Sequence, residues 1–215
     1  DISEELILVT TRKAVIERKI TPVFMGSAYK NKGVQILLDY VRLLLPSPTD
    51  RQYFGNSAED GNEEIEVFSD PSLPLCAMAF KITDDQFGQL TYTRIYQGTM
   101  KKGESFYNPR LKKRQRIGRL VRMHSDSKTD IDQAIAGDII AMVGVDCASG
   151  DTYCDENLNM TMESIWVPDP VIALALKPEK QDDLVKISKA LNRFMKEDPT
   201  FRVSVDKESN ETIIS

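Results

Sequence analysis

The stretch Gly88–Asn108, GQLTYTRIYQGTMKKGESFYN, decides the fold of this 215-residue chain. Leu90–Tyr96 and Ser105–Tyr107 read as short strands, and Gly88, Gly98 and Gly103 punctuate them. The same period runs outward from Leu73 to about Val167. It predicts further strands at 75–82, 115–123, 138–145 and 161–167, with more glycines at 118, 137, 144 and 150. Several short strands with glycine turns predict a closed barrel or a sandwich.

Both flanks read differently. Residues 2–19 carry a helix pattern, with Ser3 as N-cap and Glu4 and Glu5 in its first turn. Ile20–Met25 reads as a strand, 26–33 as a loop, and 34–45 as a second helix with apolar residues at steps of three and four. Pro46 and Pro48 stop that helix. Residues 49–72 are acidic and hold the turn-forming Asp60-Gly61-Asn62, as a linker or an exposed hairpin would. After Pro168-Asp169-Pro170 the order is a strand at 171–176, a helix marked by Leu184, Ile187, Leu191 and Phe194, and strands at 201–205 and 212–214. Strand, helix, hairpin is the first half of a ferredoxin-like unit. The chain opens at Asp1 and closes on the apolar Ile213-Ile214-Ser215, so both ends read as cut from something larger.

Composition excludes several classes. A single histidine, His124, rules out multi-histidine metal sites. The three cysteines have neither knuckle nor redox spacing and read as reduced thiols. No apolar run approaches a membrane span and no signal peptide opens the chain. The paired acids Glu63-Glu64, Asp84-Asp85 and Asp182-Asp183 read as solvated charge or helix-start residues rather than acid–base catalysts. Trp166 stands at the junction before the proline pair.

The net charge of −5 hides one strongly basic run. Lys101, Lys102, Arg110, Lys112, Lys113, Arg114, Arg116, Arg119 and Arg122 face only Glu104, a local charge of +8. Concentrated positive charge is the footprint of a phosphate-backbone partner, and a solvated strand face is the alternative. Arg114, Arg116 and Arg122 fall on even positions and Ile117 and Val121 on odd ones, so a strand turns the arginines outward. Leu120 breaks that alternation, which predicts a bulge near Gly118-Arg119.

The loop GSAYKNKGVQ, residues 26–35, with the helix and the LPSP stop after it, resembles the last guanine-nucleotide motif of GTPases and, more narrowly, the elongation factor G family of translational GTPases. GQLTYTRIYQGTMKKGESFYN, RIGRLVRMH at 116–124, Ala136-Gly137-Asp138 and Ser149-Gly150-Asp151-Thr152 are similar to that family's second-domain barrel. KEDPTFRVSVDKESNETIIS at 196–215 is similar to the start of its third domain, whereas DDQFG at 84–88 departs from the family's Asp-Pro-Phe-x-Gly.

The resemblance implies a multidomain α+β chain: the end of a GTPase domain at 1–49, an acidic linker or hairpin at 50–72, an all-β barrel at 73–167, and a partial ferredoxin-like domain at 168–215. It implies that Ser27 and Ala28 lie against the guanine in the parent, which uses GTP and Mg. No P-loop, switch or Asn-Lys-x-Asp motif lies within these residues, so the chain itself is expected to have no catalytic residue, no metal and no cofactor. One or two hydrogen bonds of about 1 kcal/mol each do not capture a nucleotide, so a fluorescent-GDP titration should show no saturable micromolar binding. The resemblance further implies a cytoplasmic ribosome partner, small-subunit RNA and protein, with no membrane or DNA partner. Lys112, Lys113, Arg114, Arg116 and Arg122 are the RNA-contact candidates. Alternatives are a stand-alone RNA-binding or adaptor protein on the same barrel, a sister factor for ribosomal protection or release, and a carboxylate hydrolase. The upstream reading frame separates the adaptor from the translocase.

Overall fold

A computed structural model of the chain describes residues 2–60, 63–85, 88–162, 167–178, 183–209 and 211–215. Gly61 and Asn62 of the expected turn, the side chains of Asp84 and Asp85, Trp166 and Asp182 lie outside this description. The architecture mixes α and β and is mostly β. The chain divides into two compact units, 1–51 and 52–215.

The first unit holds α1 (Glu4–Ile16) and α2 (Val34–Leu44). The Ser3 hydroxyl accepts the Leu6 N–H at 3.3 Å, capping α1 ahead of Glu4 and Glu5. Gly33 enters α2 at φ +78°, where an added Cβ would sit 2.9 Å from the Met25 carbonyl oxygen. Leu45 is extended because Pro46 follows it. The strand expected at Ile20–Met25 does not form. A strand needs a neighbour to receive its hydrogen bonds, and the described residues of this unit hold no other strand. Arg12 and Asp50 tie α1 to the turn after α2 at 2.5 Å, and Asp50 also accepts the Ser47 N–H at 2.6 Å.

In the second unit the acidic stretch forms a hairpin of β1 (Tyr53–Ser57) and β2 (Glu64–Val67). Glu64 and Glu66 are exposed while Ile65 and Val67 turn inward, the alternation of a half-buried strand. The body comprises β3 (Cys76–Asp85), β4 (Gly88–Gln97), β5 (Thr99–Lys101), β6 (Ser105–Asn108), β7 (Lys113–Arg116), β8 (Arg119–His124), β9 (Ser127–Ile131), β10 (Gln133–Ile135), β11 (Ile139–Val143) and β12 (Thr152–Cys154). Its main sheet runs β7-β6-β12-β3-β4-β11-β8-β9, with β10 paired to β5. The sheet curls round one core in which Ile95, Met100, Phe106, Ile117, Leu120, Ile140 and Tyr153 are buried. At Gly98, φ +79°, β4 bends into β5, and an added Cβ would meet the Leu73 carbonyl at 2.7 Å. β13 (Met160–Met162) pairs with β1 and lays that hairpin over the outer face. There Val67, Cys76, Met78, Cys154, Met160 and Met162 form a second apolar cluster.

The single strand expected at 115–123 is two strands. β7 ends the sheet on one side and β8 lies next to its other end. The chain leaves β7 at Ile117, whose N–H donates to the Glu104 carbonyl at 2.8 Å, and crosses at Gly118. This break, rather than a bulge within one strand, lets Ile117 and Leu120 both enter the main core while Val121 packs on the opposite face with Leu90 and Ala141.

The C-terminal part joins β14 (Leu174–Leu176), α3 (Leu184–Glu197), β15 (Val203–Val205) and β16 (Thr212–Ile214). β16 lies between β14 and β15, antiparallel to both. Ser149 donates its N–H to the Lys196 carbonyl at 3.3 Å and its hydroxyl to the Glu197 carbonyl at 3.2 Å. The last turn of α3 thus has free carbonyls satisfied by the β11–β12 loop.

Candidate nucleic-acid interface

The basic run folds mainly as the β6–β7 hairpin, with Lys101 and Lys102 leading into it. Register places Arg114 opposite Tyr107 and Arg116 opposite Ser105. Period two then puts Arg114 and Arg116 on one face of β7, and both are exposed. Asn108 shapes the loop between the strands by accepting the Leu111 N–H on its side-chain oxygen at 3.1 Å. Lys112, at φ +51°, stands exposed at the entrance to β7.

One buried carboxylate holds this hairpin in place. Asp151 is 4% exposed. It accepts from the Arg110 guanidinium, from Asn108 Nδ2 at 2.9 Å and from the Ala148 N–H at 3.0 Å. A buried charge is tolerated only with such a set of donors. The same contact holds the Arg110 guanidinium above its ordinary pKa. The anchoring role of Asp151 is not legible in the Ser149-Gly150-Asp151-Thr152 string, because Arg110 and Asn108 lie far from it along the chain.

Folding brings acids to several of the candidate cations. Lys113 lies 3.8 Å from Asp146, and Lys196 of α3 reaches the same carboxylate at 2.7 Å. The hydrogen bond from Lys196, with the charge of Lys113 beyond it, keeps Asp146 below the usual carboxylate range. Arg114 pairs with Glu156, which holds its guanidinium above the ordinary value. Arg122 is 3.5 Å from Asp138, and Arg119 is 2.6 Å from Asp130. Lys112 and Arg116 have no acidic partner among the described residues, and Arg116 donates only to the Gly103 carbonyl at 3.2 Å. The +8 counted along the sequence is therefore a field partly balanced in space. Lys112 and Arg116 remain its unbalanced members on the hairpin.

The Ser27–Ala28 loop lies in the first unit. Ser27 and Lys32 exchange backbone hydrogen bonds of 2.9 and 3.0 Å, and the Ala28 carbonyl accepts the Asn31 N–H at 3.0 Å. A cavity of about 240 Å³ opens beside it, lined by Phe24, Ser27, Ala28, Lys32 and Leu37 among others. The Ala28 N–H has no partner among the described residues. His124 is exposed on the β8–β9 hairpin opposite Ser127. Among the described residues no cluster of His, Cys, Asp and Glu is arranged to hold a metal, and no helix is long and apolar enough to cross a membrane.

The family model for elongation factor Tu domain 2 matches residues 88–154, and that for elongation factor G domain III matches 167–215. Elongation factor G of Rhodopirellula baltica is 54% identical over 215 residues, covering 100% of this chain and 31% of the relative. Elongation factor G 1 of Borreliella burgdorferi is 50% identical over 214 residues, again 100% of this chain and 31% of the relative. A crystal structure of a Thermus thermophilus protein shares the fold at a TM-score of 0.77, with 24% identity, covering 100% of this chain and 30% of that one. Over its whole length the chain is similar to elongation factor G, and it spans about 31% of the length of those curated relatives.

Proposed function

We propose that this chain is the docking and coupling portion of a ribosomal translocase, a cytoplasmic factor that uses GTP to move tRNA and mRNA. The observation that carries this reading is the unbroken similarity to elongation factor G over the whole chain, at 54% identity. Residues 1–49 would be the end of the GTPase domain, 73–167 the second-domain barrel, and 168–215 the opening half of a ferredoxin-like third domain. The antiparallel β14-β16-β15 order, with α3 between β14 and β15 along the chain, supports the last assignment.

In this reading the β6–β7 hairpin meets phosphates of small-subunit RNA. Backbone and shape recognition suit it, because exposed lysine and arginine on a rigid strand match a phosphate track better than base edges in a deep groove. Ser27 and Ala28 would border the guanine in the parent, and the unpartnered Ala28 N–H is the donor available there. Mg and the phosphates would be held by residues outside this chain, which supplies no group for the chemical step.

The test is association of the chain with isolated small subunits across a salt series. Reversing Lys113, Arg114 and Arg116 together to Glu should weaken binding at least about tenfold near 0.1 M salt and flatten the salt slope. Unchanged binding and slope would remove the hairpin from the interface.

A further inference from the structure

Cys76 and Cys154 face each other directly across the β3–β12 pair. The Asp155 N–H donates to the Leu75 carbonyl at 2.9 Å and the Ala79 N–H to the Asp151 carbonyl at 2.8 Å. That pattern makes Cys76–Cys154 one of the non-hydrogen-bonded pairs of the ladder. Such pairs bring their Cα atoms to about 4.5 Å, inside the span of about 4.4–6.8 Å that a disulfide bridges. Both side chains leave the same face of the sheet and enter the same outer cluster. The β1–β2 hairpin and β13 cover them, through Val67, Met160 and Met162, and both cysteines are 0% exposed. Cys147 belongs to the main core on the other face, beside the Thr91 hydroxyl at 3.2 Å, and has no thiol opposite it.

We propose that Cys76 and Cys154 are a latent disulfide pair, which a peroxide closes into an intrachain bridge when the β1–β2 hairpin lifts from the outer face. The balance is simple. One thiol loses its proton, and the thiolate attacks a peroxide oxygen to give a sulfenic acid and release hydroxide, which takes up that proton as water. The second thiol then attacks the sulfenic sulfur, forming the S–S bond and expelling a second water. Two thiols lose two electrons and two protons in all, and one hydrogen peroxide becomes two waters.

Burial sets the trigger. It pushes the Cys76 thiol up to about 12, with the neighbouring Cys154 adding to the shift, so neither the nucleophile nor the oxidant is available while the cover is closed. Opening the hairpin supplies water and access together, and the register already presents the partner sulfur. Oxidation would record a local opening and then hold β3 to β12 beneath the hairpin. The proposal is independent of the ribosomal reading, since it rests only on register, burial and cover.

The experiment exposes the full chain to hydrogen peroxide, with and without urea below the unfolding transition, and blocks remaining thiols with iodoacetamide. Non-reducing peptide mapping by mass spectrometry then locates every cystine. The expected product is a Cys76–Cys154 cross-linked peptide lighter by two hydrogens than the sum of its parts, formed at least about tenfold faster in urea as the cover opens. Cys147→Ser should leave it intact and Cys154→Ser should abolish it. Cross-links to Cys147 in comparable yield would overturn the proposal. So would oxidation of Cys76 and Cys154 to sulfinic acids without a bridge, and neither result depends on a variant that must fold.

Discussion

Asp151 shows most plainly what a single residue does here. Nearly fully buried, it gathers the Arg110 guanidinium, the Asn108 amide and the Ala148 N–H. Replacing it with Ala leaves a guanidinium and two neutral donors without their acceptor. We expect Asp151→Ala to cost about 3–5 kcal/mol in urea denaturation, whereas removing the exposed Glu156 should cost under about 1 kcal/mol. Asp50 makes a prediction in pH. Arg12, and behind it the Ser47 donors, lower its carboxyl from 3.8 to about 2. A lowered folded-state pKa gives stability that is complete above the unfolded value and disappears as pH falls through the folded one. The Arg12–Asp50 link should therefore hold above about pH 4 and be lost between about pH 4 and pH 2. NMR titration of the Asp50 carboxyl checks this: a midpoint near the ordinary aspartate value would mean that the link does not persist in solution. None of these partnerships is visible in sequence, because Arg12 and Asp50, or Arg110 and Asp151, are distant along the chain.

At the scale of elements, local pattern is a good guide wherever an element carries its own stabilisation. Ser3, the acidic first turn and Pro46 delimit α1 and α2 from local chemistry alone. Strands depend on partners, and there local pattern loses detail. Ile20–Met25 has the composition of a strand without a neighbour. Ser127–Ile131 forms β9 although it is polar, because β8 receives its backbone. The stretch 115–123 reads as one strand with a bulge near Gly118, yet the chain there changes its place in the sheet. The same folding shapes the basic hairpin. A cation already paired with a carboxylate gives up that contact when it meets phosphate, so its net contribution shrinks. Lys112→Glu and Arg116→Glu should each weaken small-subunit association several-fold, and more than Arg114→Glu or Arg122→Glu, in a filter-binding comparison at one salt concentration. The opposite ranking would mean that RNA phosphates displace the carboxylates paired with Arg114 and Arg122.

For the whole molecule, the barrel and third-domain strings that resemble elongation factor G fall within the two domain matches, at 88–154 and 167–215, whereas the 26–35 loop lies outside both. A mostly β body with a short strand–helix–hairpin after it is the architecture those strings imply. What the sequence could not supply is spatial charge, since the acids that balance the basic run come from distant loops: Asp138, Asp146 and Glu156. The central claim is that the β6–β7 hairpin meets small-subunit RNA, and a tethered hydroxyl-radical probe reads it most directly. The native thiols are buried, with Cys147 the most accessible at 1%, so a cysteine introduced by Lys112→Cys should take an iron chelate selectively. On small subunits this probe should cut the RNA backbone at a compact set of nucleotides, and competition by unlabelled chain should erase the cuts. Absence of such cuts from a chain that still sediments with the subunit would contradict the assignment of the hairpin.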